Sequence, residues 1–258
     1  MKSSFLRTAF VTAALASAAA AHAVTVDYQF VTPNDGSGKT SRFVGPNNTN
    51  TNNVFVETFD LPNGQGGINT PSSLVSVTTV SGGGFSFAKG SLAGVYATPA
   101  GDSTNYAYGP AQGSSTSSSE VRLDYTGLLN NLSGQIGPNT YLNYVGLYYG
   151  SIDRYNDLLF YSSNGTLLRT VTGGELIDQF NGISGNQFAD SSNIYVNLFF
   201  SPEEQFTSFS FRTTGRAFEM DNLAVGFNVV QNVPEPGSLA LLGLGLAAVG
   251  IARRRKAA

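Results

Sequence analysis

Successive side chains on an extended strand point to opposite faces. A chain that alternates apolar and polar residues one for one can therefore bury a face only as β-sheet. That alternation runs through most of this sequence. Val24-Thr-Val-Asp-Tyr-Gln-Phe30 shows it, and Phe209, Phe211 and Thr213 are interleaved with Ser208, Ser210 and Arg212. Similar stretches recur at residues 54–61, 74–80, 84–88, 120–125, 141–149, 157–162, 166–171, 193–200, 206–212 and 217–227. Between two of them stands Asn164-Gly165, the pair that supplies the positive φ angles of a type I′ hairpin turn. One short helix is expected, over 174–180. Strands this short, punctuated by Gly, Asn and Ser and joined by no long amphipathic helix, predict an all-β domain. The favoured architecture is a jelly-roll-like antiparallel β-sandwich, with a closed barrel as the alternative. Two polar segments, 32–53 and 99–119, are long enough to read as either disordered or functional loops.

Both ends depart from this pattern. Lys2 and Arg7 precede an apolar run over 9–21 that closes on Ala21-His22-Ala23, the small-x-small pattern of a signal-peptidase site. Residues 1–23 are expected to be a signal peptide cut before Val24. At the other end Val233-Pro-Glu-Pro-Gly237 precedes an uncharged, mostly apolar run over 238–252, followed by Arg253, Arg254, Arg255 and Lys256. At ~1.5 Å per residue that run makes roughly 22 Å of helix. It falls short of a ~30 Å hydrocarbon core unless flanking residues and snorkelling arginines extend it. The expectation is a transmembrane helix whose basic tail stays cytoplasmic. Three parts follow: signal peptide 1–23, β-sandwich ectodomain 24–232, and tail 233–258.

Pro234, Glu235, Pro236 and Gly237, with the Gly/Leu/Ala run and the terminal arginines, resemble the PEP-CTERM tail of Gram-negative bacteria. In that family an exosortase, a transpeptidase-like membrane enzyme, recognises Pro-Glu-Pro and processes the protein for the surface or matrix. The resemblance implies partnership with an exosortase and the secretion machinery. It also implies an intermediate held in the inner membrane by the tail, and a final address at the cell surface or extracellular matrix. Physically, the proline pair denies its segment a helix and keeps it extended. Glu235 is the only carboxylate in the tail and the natural recognition handle. Gly150-Ser-Ile-Asp153-Arg-Tyr-Asn156 and Phe218-Glu219-Met-Asp221-Asn222 further resemble the G-S-x-D-x-Y-N turn and final F-E-x-D-N strand of a group of exosortase-dependent surface proteins. That resemblance implies an extracellular β-sandwich and brings no activity with it.

Residues 24–232 carry eight basic and sixteen acidic side chains, a net charge of −8. Phosphate backbones would be repelled, which argues against nucleic acid as a partner. Cysteine is absent, so disulfides and thiolate metal sites are excluded. The one histidine, His22, lies in the signal peptide, so the ectodomain lacks a Ser-His-Asp triad and any histidine-built zinc site. Asp153 with Asp157, or Glu203 with Glu204, are the carboxylate pairs that glycoside hydrolysis would need. Neighbours in sequence seldom converge that way, and the ectodomain is expected not to be an enzyme. No cofactor is called for. Asp27, Glu219 and Asp221 would be ligands of a structural calcium ion if the first and last strands lay side by side. The alternative is plain turn chemistry, with Asp153 and Asn156 bonding their own backbone and Asp221-Asn222 capping the edge of the last strand. Tyrosines such as Tyr106, Tyr108, Tyr148, Tyr149 and Tyr155 could stack on sugar rings, which makes an extracellular polysaccharide a possible partner, although tryptophan is absent. Sequence alone thus reads as an exported, non-enzymatic surface or matrix protein, with polysaccharide binding as the alternative and paired-carboxylate hydrolysis as the third.

Overall fold

The computed structural model describes residues 24–110 and 118–229. The expected signal peptide with Ala21 and Ala23, the sorting residues Pro234 to Gly237, the apolar run and the basic cluster Arg253 to Lys256 all lie outside the described residues. So does the middle of the polar segment 99–119. Among the described residues no helix is long and apolar enough to cross a membrane.

Two antiparallel sheets face each other. The larger contains β1 (Thr25–Asp27), β2 (Val54–Glu57), β4 (Ser86–Ala88), β5 (Tyr106–Tyr108), β7 (Thr140–Gly150), β10 (Ile194–Phe199) and β12 (Glu219–Val229). Its order is β1-β10-β7-β12-β5-β4, with β2 also paired to β12. The smaller contains β3 (Ser76–Ser81), β6 (Ser119–Asp124), β8 (Asn156–Tyr161), β9 (Leu167–Thr172) and β11 (Ser208–Thr213), in the order β3-β6-β11-β8-β9. From β9 onward the chain crosses between sheets at each step, so the two sheets share one interior. The arrangement is sandwich-like, and among the described residues neither sheet closes on itself.

Period-two alternation decides what fills that interior. Val145, Leu147 and Tyr149 of β7, Ile194, Val196 and Leu198 of β10, and Leu223, Val225 and Phe227 of β12 point inward. They meet Phe209 and Phe211 of β11 and Leu158 and Phe160 of β8. Aromatic rings run through the middle: Phe160 meets Phe206 edge-on at 5.2 Å, and Phe211 meets Phe218 edge-on at 5.0 Å. Edge-on geometry suits the quadrupole of each ring and adds to the area buried. β3 is exposed along its whole length, as an edge strand can be.

Several expectations need correction. The hairpin at Asn164-Gly165 forms, but its loop is longer than a type I′ turn. Ser162 closes it by donating from N–H to the Thr166 carbonyl at 3.0 Å, and only Gly165, at φ 79°, is left-handed. This is the three-residue loop with a glycine bulge. The helix near 174–180 is α2 (Gly173–Phe180), fixed by a capping box between Thr172 and Glu175 and by left-handed Asn181. A second helix, α1 (Thr126–Ile136), is not apparent in the sequence. Its Gly, Asn and Ser are poor helix formers. Burial of Leu128, Leu129 and Leu132 supplies what propensity does not. The segment 32–53 is also better ordered than its composition suggests, for a reason given below. β5 arises inside the other polar segment; it turns Ala107 into the interior and buries Tyr106 on the opposite face.

Candidate functional site

A cleft of about 240 Å³ opens where β7 ends and β12 begins. Two sequence motifs meet there. Gly150 leads from β7 into a turn whose Ser151 stands at φ 37°, a conformation non-glycine residues rarely adopt. That twist directs Ser151 Oγ to 3.2 Å from Glu219 Oε2 at the start of β12. Glu219 Oε1 accepts from the Ala97 N–H at 2.9 Å. Tyr155 Oη lies 2.6 Å from Asp153 Oδ2 and also contacts the Arg216 carbonyl. Ser184 Oγ donates to Asp153 Oδ1 at 3.1 Å. A Cβ on Gly215 would sit 2.2 Å from the Tyr155 ring, so only glycine lets that ring lie flat against the approach to β12.

The loops around the cleft are tied together from behind. Asn193, fully buried, accepts from the N–H groups of Ser151 and Ala100, each at 3.0 Å. Its amide donates to the carbonyls of Asn186 and Ala189, also at 3.0 Å. One side chain thus satisfies backbone groups from three segments. Asn156, the last residue of the first motif, donates to the Ala217 carbonyl at 3.1 Å and binds the turn to the β12 approach.

Burial shapes the electrostatics. Glu219 is pushed up to about 7, chiefly because burial disfavours its charged form; the Ala97 and Ser151 bonds oppose this and the nearby Asp153 adds to it. Burial also raises Asp153, against the hydrogen bonds from Tyr155 and Ser184. The Tyr155 hydroxyl is pushed up by burial and by the same Asp153. Near neutrality the cleft therefore offers in Glu219 a carboxyl that both donates and accepts, and beside it Asp153 and several hydroxyls.

The site residues anticipated from sequence fall in three places. Glu219 lines the cleft. Asp221 lies deeper, fully buried, bonded through Oδ1 to the Asn222 N–H at 2.7 Å. Asp27 is elsewhere: β10 and β7 separate β1 from β12, and Asp27 is paired with Arg42 at 2.8 Å. The premise that the first and last strands adjoin is corrected, and with it the Asp27–Glu219–Asp221 calcium set. Among the described residues no group of three or more acidic side chains is arranged to hold a metal ion. Asp221-Asn222 does not cap a strand edge either. It forms a bulge inside β12, with Asn222 at φ 49°. Asp153 bonds hydroxyl groups rather than its own backbone.

The carboxylate that Asp153 adjoins across the cleft is Glu219, distant in sequence, and not Asp157, which pairs with Arg212 at 2.7 Å. Of the five tyrosines considered for sugar stacking, Tyr106, Tyr148 and Tyr149 are fully buried. Tyr155 lines the cleft, and Tyr108 lines a second one beside it. Tyr96 also lines the first cleft; nothing in its surroundings, Gly-Val-Tyr-Ala-Thr, sets it apart.

Among the known protein families, residues 232–256 match the PEP-CTERM protein-sorting motif. The chain carries that sorting motif near its C-terminus, as exosortase-processed surface proteins do. No curated protein and no solved structure matches it.

Proposed function

We propose that this bearer of a PEP-CTERM sorting motif is an exported, non-enzymatic surface or extracellular-matrix protein, delivered by an exosortase. The observation that carries the reading is the sorting motif at residues 232–256, set directly after a two-sheet domain. On this reading residues 1–23 direct export and are removed. The apolar run and Arg253–Arg255 then hold an inner-membrane intermediate, and processing near Pro234-Glu235-Pro236 frees a jelly-roll-type ectodomain. The absence of histidine from that ectodomain supports a non-enzymatic role.

Glu235→Ala tests the sorting step. The variant should accumulate uncleaved in the inner membrane, while the native protein has an intact mass that begins at Val24 and stops near Pro-Glu-Pro. Normal processing of the variant, or a native mass that keeps the arginines, removes the proposal. A second reading is favoured by the cleft itself: a module that binds extracellular polysaccharide, because hydroxyls, carboxyls and tyrosine faces converge there. Hydrolysis by Asp153 and Glu219 is the third reading, and release of reducing ends from a bound glycan would promote it above the second.

A further inference from the structure

Beside the cleft lies another of about 260 Å³, and the two have a common wall. Val95, Arg216 and Ala217 line both. With that wall in common, the two clefts adjoin as neighbouring chambers of one trough. Tyr96 lines the first chamber and Tyr108 the second, and their rings stand 4.3 Å apart with a 33° tilt. Both rings are half-buried, so part of each stays accessible to a ligand. Together they make an aromatic step that joins the chambers.

The chambers differ in chemistry. The first holds Ser151, Asp153, Tyr155, Gln187 and Glu219, a set with both donors and acceptors. The second has Pro110, Gly109 and the Tyr108 ring, with few side chains that can bond. Arg216 is the one cation in either lining, and Asp153 and Glu219 share the first chamber with it. A charged ligand gains little there. A negative one is opposed by Asp153 and by the excess of acidic groups over the whole ectodomain.

We infer that the trough binds an uncharged, linear glycan, with one sugar hydrogen-bonded in the polar chamber and the next stacked on the Tyr96–Tyr108 step. This rests on the polysaccharide-binding reading above and adds to it the site, the charge class and the shape of the ligand. A pyranose chain alternates an apolar ring face with a rim of hydroxyls. The trough offers matching surfaces in sequence: hydroxyls and carboxyls first, then ring faces.

The test is calorimetric titration of the mature ectodomain with neutral gluco-, xylo- and manno-oligosaccharides of increasing length, and with oligogalacturonate as the charged probe. Affinity should rise from mono- to disaccharide and then level off, with oligogalacturonate at least about tenfold weaker than the best neutral oligomer. Tyr96→Ala and Tyr108→Ala should each weaken binding about tenfold, the scale of one lost ring contact. Val95→Trp changes an exposed residue common to both chambers, so folding is spared; it should block binding outright. A neutral glycan that binds all three variants as well as wild type overturns the trough while leaving polysaccharide binding intact. Preference for the uronate overturns the charge class. If no glycan of either kind binds, the polysaccharide-binding reading falls, and this inference with it.

Discussion

The two faces of the larger sheet are built from the same strands by opposite means. On the inner face, alternate residues of β7, β10 and β12 are apolar and bury against the smaller sheet. On the outer face, the intervening residues are Tyr144, Tyr148, Tyr195, Asn197 and Asn222, and they bury beneath the segment 32–53. There a small apolar cluster of Val54, Tyr144 and Ala224 is joined by a layer of hydrogen bonds. Tyr144 Oη lies 2.6 Å from Asn197 Oδ1 and 2.8 Å from Ser41 Oγ. Tyr195 Oη donates to the Asn222 carbonyl at 3.0 Å. The Asn222 amide reaches the carbonyls of Ser37 and Lys39 at 2.9 and 2.8 Å, and contacts Asn48. Gly146 leaves room for this layer, since a Cβ there would strike the hydroxyls of both Tyr144 and Tyr195. The lesson is that an Asn-, Thr- and Gly-rich segment can be ordered when its backbone groups have fixed partners. An apolar layer tolerates imprecision that a hydrogen-bonded layer does not.

If this contrast is right, the faces should fail differently. The largest effect belongs to the inner one. Phe211→Ala removes a ring packed against Phe85, Phe209 and Phe218 and should destabilise the ectodomain by about 3–5 kcal/mol, read from urea midpoints. A loss below about 1 kcal/mol would mean that the interior closes around the gap.

The next concerns buried carboxyls. Glu219 has an ordinary value of 4.5 and a folded value of about 7. Between them the folded domain holds a proton that the unfolded chain has released, so stability falls as pH rises through that window. The difference is on the order of 3 kcal/mol. Asp221 adds to the decline. Burial raises it well above the usual carboxylate range, and so does contact with Asp102, whose Oδ2 has no hydrogen-bond donor unless Asp221 keeps its proton. The melting temperature should therefore be higher at pH 5 than at pH 8, and Glu219→Gln with Asp221→Asn should flatten that slope. An unchanged slope would remove both groups from the account.

The smallest effect sharpens the outer face. Asn222→Ala strands the Ser37 and Lys39 carbonyls and forces alanine into a left-handed conformation, at about 2 kcal/mol. Asn222→Gly keeps the conformation and loses only the bonds. Hydrogen exchange at residues 37–48 should quicken in both variants, while the interior strands stay protected.

These two faces also divide what the sequence reveals. Phe209 and Phe211 declare their strand because burial on one face writes a period of two, and most of the strands are legible for that reason. Asn48 and Asn222 declare nothing. Each reads as turn chemistry, and their partnership across the fold has no local signature. α1 is hidden likewise, since its stability comes from Leu128, Leu129 and Leu132 meeting the interior. The candidate site was half legible. Both motifs around Asp153 and Glu219 stand out in the chain, but their meeting depends on which strand ends adjoin. Tyr96 and Asn193 had no signal at all, because the one lines the cleft and the other holds it only after folding.

β12 has a consequence for how the domain carries load. It is an interior strand, paired with β7 along most of its length and with β5 and β2 on its other side. The sorting motif follows it directly in the chain. A pull on that tail directed along the axis of β12 would strain its ladders in shear, many bonds at once. A strand at a sheet edge, pulled sideways, would peel one bond at a time. Survival under such tension is a matter of unfolding rate rather than equilibrium stability. The sorting signal is thus hung from one of the most firmly held strands of the fold.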